Sequence, residues 1–174
     1  MYNADITRTI PVSGHFTGEQ RAVYEVVEAA RAAAVAAARP GATIGAVHEA
    51  AVAIITAGLV ELGVLRGSPD SLAEAGKHKP FYPHQTSHWL GLDVHDPGDY
   101  AHAGRSRTLE PGMVLTVEPG LYFRPGGDSG AARFENIGVR IEDDLLVTVA
   151  GCDNLTSALP TSADGVAELV AGER

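Results

Sequence analysis

Fourteen residues from Pro83 to Asp96, PHQTSHWLGLDVHD, hold three histidines, two aspartates and the only tryptophan of the chain. Imidazoles and carboxylates at that density can bind a metal ion or move protons, and packing alone does not account for them. His84 and His88 are four residues apart and His95 follows seven later, a spacing that would put all three on one side of a helix. A helix is nonetheless disfavoured. Pro83 and Pro97 bracket the run, Gly91 interrupts it, and Trp89, Leu90, Leu92 and Val94 suit a buried extended segment. The helical zinc-peptidase pattern is excluded, because it needs a glutamate directly after the first histidine and Gln85 stands there. One histidine such as His84 is most often a hydrogen-bonded core residue, whereas three beside aspartates point to a site.

Acidic residues far away in the chain extend this chemistry. Asp5, Glu118 and Glu142 each fall on the polar face of an alternating segment whose other face is apolar. If those segments belong to one curved sheet, the three carboxylates converge beside His88. Carboxylates gathered in a poorly solvated place resist joint ionisation unless a counter-charge is present, and a divalent metal supplies one. Three oxygen donors to one imidazole suit manganese(II), iron(II) or cobalt(II) better than a structural zinc. Taken singly, each acid also reads as a solvated strand end or a salt-bridge partner; Arg140, on the same face as Glu142, offers such a pair.

The elements that must position these groups are legible in part. Asp5 to Ile10 alternates and reads as a strand. Thr17-Gly18-Glu19-Gln20 has capping-box form and opens a long alanine-rich helix that Arg39-Pro40-Gly41 stops. Thr43 caps a second helix with an apolar stripe of Ile44, Val47, Ala51, Ile54, Ile55, Leu59 and Leu62; His48 falls on its opposite, solvated side. Ser68-Pro69-Asp70 starts a short third helix, and His78, in a lysine-flanked turn, has no evident role. Gly98 to Arg107 reads as a loop. Met113 to Glu118 and Leu121 to Phe123 read as strand, and Arg124 to Arg133 as a glycine-rich excursion. Ile137 to Glu142 alternates, and Asp143-Asp144 then reads as the turn of a hairpin whose partner is Leu145 to Val149. A short helix from Ala163 to Val170 closes the chain. Residues 1–174 carry no internal repeat or linker and are expected to form a single domain.

Composition limits the partners. The 174 residues are 45% hydrophobic and 20% charged, ordinary for a globular chain, and the formal charge of −9 argues against nucleic acid or an anionic membrane as partner. Cys152 is the only cysteine, which excludes an intramolecular disulfide and a thiolate cluster. Charges interrupt the alanine-rich stretches before membrane-spanning length and no leader is evident, so a cytoplasmic location is expected.

Four stretches, ADITRTIPVSGHFT, PHQTSHWLGLDVHDPG, LEPGMVLTVEPGLYF and NIGVRIEDDLLVT, together resemble the pita-bread metallopeptidases, and aminopeptidase P, the Xaa-Pro aminopeptidase, most of all. The likeness runs from about Ala4 to Leu155. It implies an α+β fold in which helices cover a curved antiparallel sheet. It also implies a hydrolase that releases the N-terminal residue from peptides with proline second. Position by position, Asp5 and Glu142 match carboxylates that bridge two metals, and His88 and Glu118 match ligands of one of them. His84 and His95 match histidines lining the substrate cleft, and Arg140 an arginine that steadies the ligand shell. The implied metal ligands are thus Asp5, His88, Glu118 and Glu142, and the implied catalytic groups His84, His95, Glu118 and Arg140. Gln85 stands where glycine is usual and is expected to touch the cleft wall.

The departure lies at the front. Members of this family carry a further metal-binding aspartate about ten residues before the position of Asp5, preceded by helices and an N-terminal domain, and only four residues precede Asp5 here. The resemblance therefore covers an N-terminally truncated catalytic domain that lacks its first helices and first hairpin strand. One well-held divalent ion, manganese(II) by preference, is expected, with the second site incomplete. An uncovered strand edge should favour a homo-oligomer. Two functions stay open: a peptidase acting on proline-containing peptides, or a catalytically impaired remnant serving as a peptide-binding or subunit-interaction module.

Overall fold

The computed structural model describes residues 1–126 and 130–172, so part of the glycine-rich excursion lies outside the described residues. In chain order the elements are α1 (Gly18–Ala37), α2 (Ile44–Glu61), α3 (Pro69–Glu74), β1 (Ala101–His102), β2 (Arg105–Ser106), β3 (Val114–Val117), β4 (Gly120–Tyr122), β5 (Gly138–Arg140), β6 (Asp143–Thr148), β7 (Gly151–Asn154) and α4 (Ala163–Gly172). The expected capping box is present: the Thr17 hydroxyl accepts from the Gln20 amide and the Gln20 side chain from the Thr17 amide, a device worth ~1 kcal/mol. Val23, Tyr24, Val27, Ala30 and Ala34 then form the buried face of α1.

Helix α2 is long and apolar enough by composition to cross a membrane, contrary to the expectation that charge interrupts every such stretch. Its apolar surface is spent in the core instead, where Val47, Ala51, Ile55 and Leu59 are fully buried. Gly58 lets α1 approach α2, since a Cβ there would collide with the Val26 side chain.

The strands form a three-stranded antiparallel sheet in the order β3-β6-β7 and two two-stranded pairs, β4-β5 and β1-β2. β3 pairs with β6 so that Val117 opposes Asp143, and β4 pairs with β5 so that Gly120 opposes Arg140. Both pairings share one antiparallel register, which sets Glu118 opposite Glu142 and Pro119 opposite Ile141. Pro119 has no N–H to give the ladder, and the remaining Ile141 N–H to Pro119 carbonyl bond is long at 3.4 Å. The extended segment through Trp89 lies along β3, bridging at Leu115. Leu115, Val117, Leu121, Val139, Ile141, Leu145 and Val147 face the helices and are buried.

Several expectations are corrected. Asp5 to Ile10 is extended but, among the described residues, makes a single bridge, Thr7 to Glu142. Side chains replace the ladder: the Thr9 hydroxyl donates to the Arg140 carbonyl and accepts from the Arg140 amide. Asp143-Asp144 is not a turn. It opens β6, which crosses from β3 to a true hairpin with β7, and both aspartates are buried. Arg8 and Arg31 hold Asp143 at 2.7 and 2.9 Å, and Asn154 and Thr156 also donate to it. Burial acts to raise the Asp143 pKa, but the bonds from Arg8 and Thr156 and the two guanidinium charges prevail and hold it below the usual value. Leu92 and Val94 are exposed rather than buried, because the chain bends after Gly91 into a turn closed by Asp96, which accepts the Asp93 amide at 3.0 Å. Within the expected loop 98–107, Ala103 and Gly104 both have positive φ and make a tight β1–β2 hairpin. His78 is buried at 6% exposure.

Candidate metal centre

Three elements deliver the carboxylates and one segment the imidazole. Glu118 leaves the end of β3, Glu142 precedes β6, and their opposed positions put two acids side by side, where like charges oppose ionisation. Asp5 is brought in by the N-terminal stretch, which the Asn3 amide ties to the Gly91 carbonyl at 2.8 Å and the Asp5 amide ties to Asp144 at 3.1 Å. His88 comes from the extended segment, locked on β3 by bonds from the Thr116 amide to the His88 carbonyl and from the Glu118 amide to the Thr86 carbonyl.

The tautomer of His88 follows from its partners. Its Nδ1 lies 2.9 Å from the Trp89 carbonyl, which can only accept, so the proton sits on Nδ1 and Nε2 carries a bare lone pair. That Nε2 is buried without a hydrogen-bond partner. It lies 3.4 Å from Asp5 Oδ2 and 3.5 Å from Glu118 Oε1. Potential ligand atoms of His88, Glu118 and Glu142 fall within 4.8 Å of one another, and so do those of Asp5, His88 and His95. His95 is exposed, with its ring edge-on to His88 at 4.6 Å. Burial and then the Glu142 charge push the Glu118 pKa up to about 7. Burial also raises Glu142, against the Thr7 hydroxyl that donates to it at 2.5 Å. Buried carboxylates that resist ionisation around an orphaned imidazole lone pair are a donor set that fits a divalent cation.

Arg140 does not pair with Glu142. Its nearest carboxylate contact is to Glu118, at 3.8 Å, and its Nε–H donates to the Tyr122 hydroxyl at 2.9 Å. Tyr122 lies 2.8 Å from His84 Nε2 while His84 Nδ1 reaches the Gln85 carbonyl at 2.8 Å. The protons therefore run Arg140 to Tyr122 to His84 to Gln85, and both His84 nitrogens are engaged inside the protein. Burial lowers the His84 pKa, which suits this neutral state.

The sequence reading missed Tyr122, Thr7 and His48. Tyr122 shares the face of Glu118 by parity, a signal that was available. His48 is half-buried rather than on a free polar face: its Nδ1 is 2.8 Å from the Thr86 hydroxyl, and it lines a cavity of about 450 Å³ together with Gln85, Ser87 and His88. Gln85 lines this cavity.

A family model described as metallopeptidase family M24 matches residues 1–149. The chain belongs to that family. It is 46% identical to the Xaa-Pro aminopeptidase of Escherichia coli strain K12 over 173 residues, 99% of this chain and 39% of the relative. It is 45% identical to the Xaa-Pro aminopeptidase of Haemophilus influenzae, again over 39% of that protein. The structure of Pseudomonas aeruginosa aminopeptidase PepP superposes with a TM-score of 0.93 at 47% identity, covering 98% of this chain and 39% of that one. Escherichia coli aminopeptidase P with the inhibitor Pro-Leu gives a TM-score of 0.93 at 46% identity, covering 98% of this chain and 38% of that one. The chain thus has the pita-bread fold and spans about two fifths of the length of these M24 relatives.

Proposed function

We propose that this chain carries the metal-binding core of an aminopeptidase-P-like hydrolase that releases the N-terminal residue from peptides with proline second. The observation that carries this reading is the bare, buried His88 Nε2 set among Asp5, Glu118 and Glu142. Those four residues would hold a divalent ion. Three oxygen donors to one nitrogen favour manganese(II). When bound, the ion supplies Lewis acidity that polarises a carbonyl and offsets negative charge. Glu118, which without a cation keeps its proton up to about pH 7, is the carboxylate suited to proton transfer. The Arg140, Tyr122 and His84 chain fixes the outer side of Glu118, and His95, on the exposed side of the cluster, meets the incoming peptide.

The test is hydrolysis of an Ala-Pro peptide by the manganese-loaded protein, beside Glu142→Gln. Expected is metal-dependent turnover that falls at least about 100-fold in the variant, the scale on which ligand-shell losses act. Turnover that survives the substitution would sink the reading. The second reading, a binding module without turnover, requires peptide binding with no hydrolysis at any metal concentration. Ile6, Ile10 and Val12 are exposed along the outer side of the N-terminal segment. Self-association over that apolar edge follows. A single monomeric species by sedimentation at micromolar concentration would refute it.

A further inference from the structure

The 450 Å³ cavity beside His88 lies within the roughly 300–1,000 Å³ range of small-ligand sites, and its walls have a particular chemistry. The segment carrying His88 is paired with β3 on one side only. The carbonyls of Thr86 and His88 accept from that side, and the Leu90 amide donates to it. The Ser87 amide and carbonyl alternate to the other edge, where among the described residues they make no hydrogen bond. Its hydroxyl is buried without a partner as well, on a residue only 7% exposed. Ser87 therefore offers three unmet polar groups beside the cavity that it lines.

His48 faces it from α2 in a defined state. The Tyr82 hydroxyl, itself buried, lies 2.5 Å from the Thr86 hydroxyl, which lies 2.8 Å from His48 Nδ1. Thr86 has one proton. If Tyr82 donates to Thr86 and Thr86 to His48, no buried proton is left unmatched, whereas the reverse order strands the Tyr82 proton. His48 then carries its proton on Nε2, which makes no hydrogen bond among the described residues, and burial keeps the ring neutral. The start of α2 does not call for an anion, because the amides of Gly45 and Ala46 are already taken by the hydroxyls of Ser106 and Thr43. At Trp89 this edge is closed by the Tyr100 hydroxyl and the Asp96 amide, so the free groups are the Ser87 amide, carbonyl and hydroxyl with His48 Nε2–H, neutral donors and acceptors that match a short stretch of peptide backbone.

We infer that this cavity binds an extended stretch of peptide as an added strand against Ser87, with His48 Nε2–H donating to one of its carbonyls. The inference rests on the reading that the chain acts on peptides: His88 belongs to both the cluster and the cavity wall, so a peptide engaged at the cluster continues into this groove.

Fluorescence anisotropy of Ala-Pro-Ala-Ala-Ala, labelled at its C-terminal end, is measured with the full chain in EDTA, where binding is read without hydrolysis. Amides after the proline are then N-methylated one at a time. An added strand turns every second amide to the edge, so affinity should fall about tenfold at alternate positions and little between them. Ser87→Val, which fills the groove and removes the hydroxyl, should weaken the unmodified peptide by about tenfold, with Ser87→Ala as a milder companion. A uniform or flat methylation profile, or unchanged affinity in Ser87→Val, overturns the groove. Alternation without hydrolysis in manganese supports the groove and defeats the peptidase reading; hydrolysis without alternation does the reverse.

Discussion

Glu118→Gln should stabilise the metal-free protein while abolishing its function. The folded chain holds the Glu118 proton up to about pH 7, against an ordinary value of 4.5, because the acid is buried opposite Glu142. An acid with a raised folded pKa contributes stability that is complete below pH 4.5 and is lost progressively as pH rises towards 7, since only the unfolded chain ionises freely in that window. At 1.36 kcal/mol per decade the loss is about 3 kcal/mol by pH 8. Glutamine keeps the shape and never ionises, so in EDTA the variant should exceed the parent by about 2–3 kcal/mol at pH 8 and match it near pH 4.5. Urea melts at both pH values, fitted with a common m-value, measure the difference. Manganese at a hundred times its dissociation constant should return ~2.7 kcal/mol to the parent and little to the variant. If Glu118→Gln is no more stable than the parent at pH 8 in EDTA, the opposed-acid argument is wrong.

Further outcomes follow from other contacts. Asp143→Asn leaves the buried Arg8 guanidinium without a carboxylate and Arg31 with Glu28 alone, and should cost about 3 kcal/mol in chemical denaturation. Because the Asp143 pKa is held below the ordinary 3.8, its contribution is present above that value and fades as pH falls through the lower folded one. Gly58→Ala should lose about 1–3 kcal/mol in a thermal melt, as its methyl meets Val26, and adding Val26→Ala should recover part of it. Thr7→Val removes the hydroxyl that steadies Glu142 and should weaken manganese binding about tenfold by calorimetry.

Local rules made the helices readable: Thr17 with Gln20, Thr43, and the spacing of Val47, Ala51, Ile55 and Leu59 are short-range signals that tertiary structure did not override. Parity alone put Glu118 and Glu142 on the polar face of their strands. What parity cannot show is pairing, and it is the shared register of β3–β4 on β5–β6 that makes these acids neighbours. The Asp143-Asp144 pair imitated a turn because buried aspartates are rare; Arg8 and Arg31, 135 and 112 residues away, are what make Asp143 tolerable inside. His48 was misplaced because a helical wheel knows one neighbour, whereas the edge of the sheet comes round to reach the other side of α2. Leu92 and Val94 carry strand-forming side chains, yet the carboxylate of Asp96 turned the backbone outward beneath them.

The stretch from Asn3 to Thr9 is held largely by residues far along the chain, up to 152 positions distant, among them Gly91, Leu92, Arg140, Glu142, Asp144 and Pro160. Loop closure over such distances comes late, so Asp5 joins only when the rest of the sheet has formed. The cluster of potential ligand atoms is thereby completed last, when this stretch docks. Since side chains rather than a full backbone ladder fasten this stretch, it can lift away and return while the remaining strands stay paired.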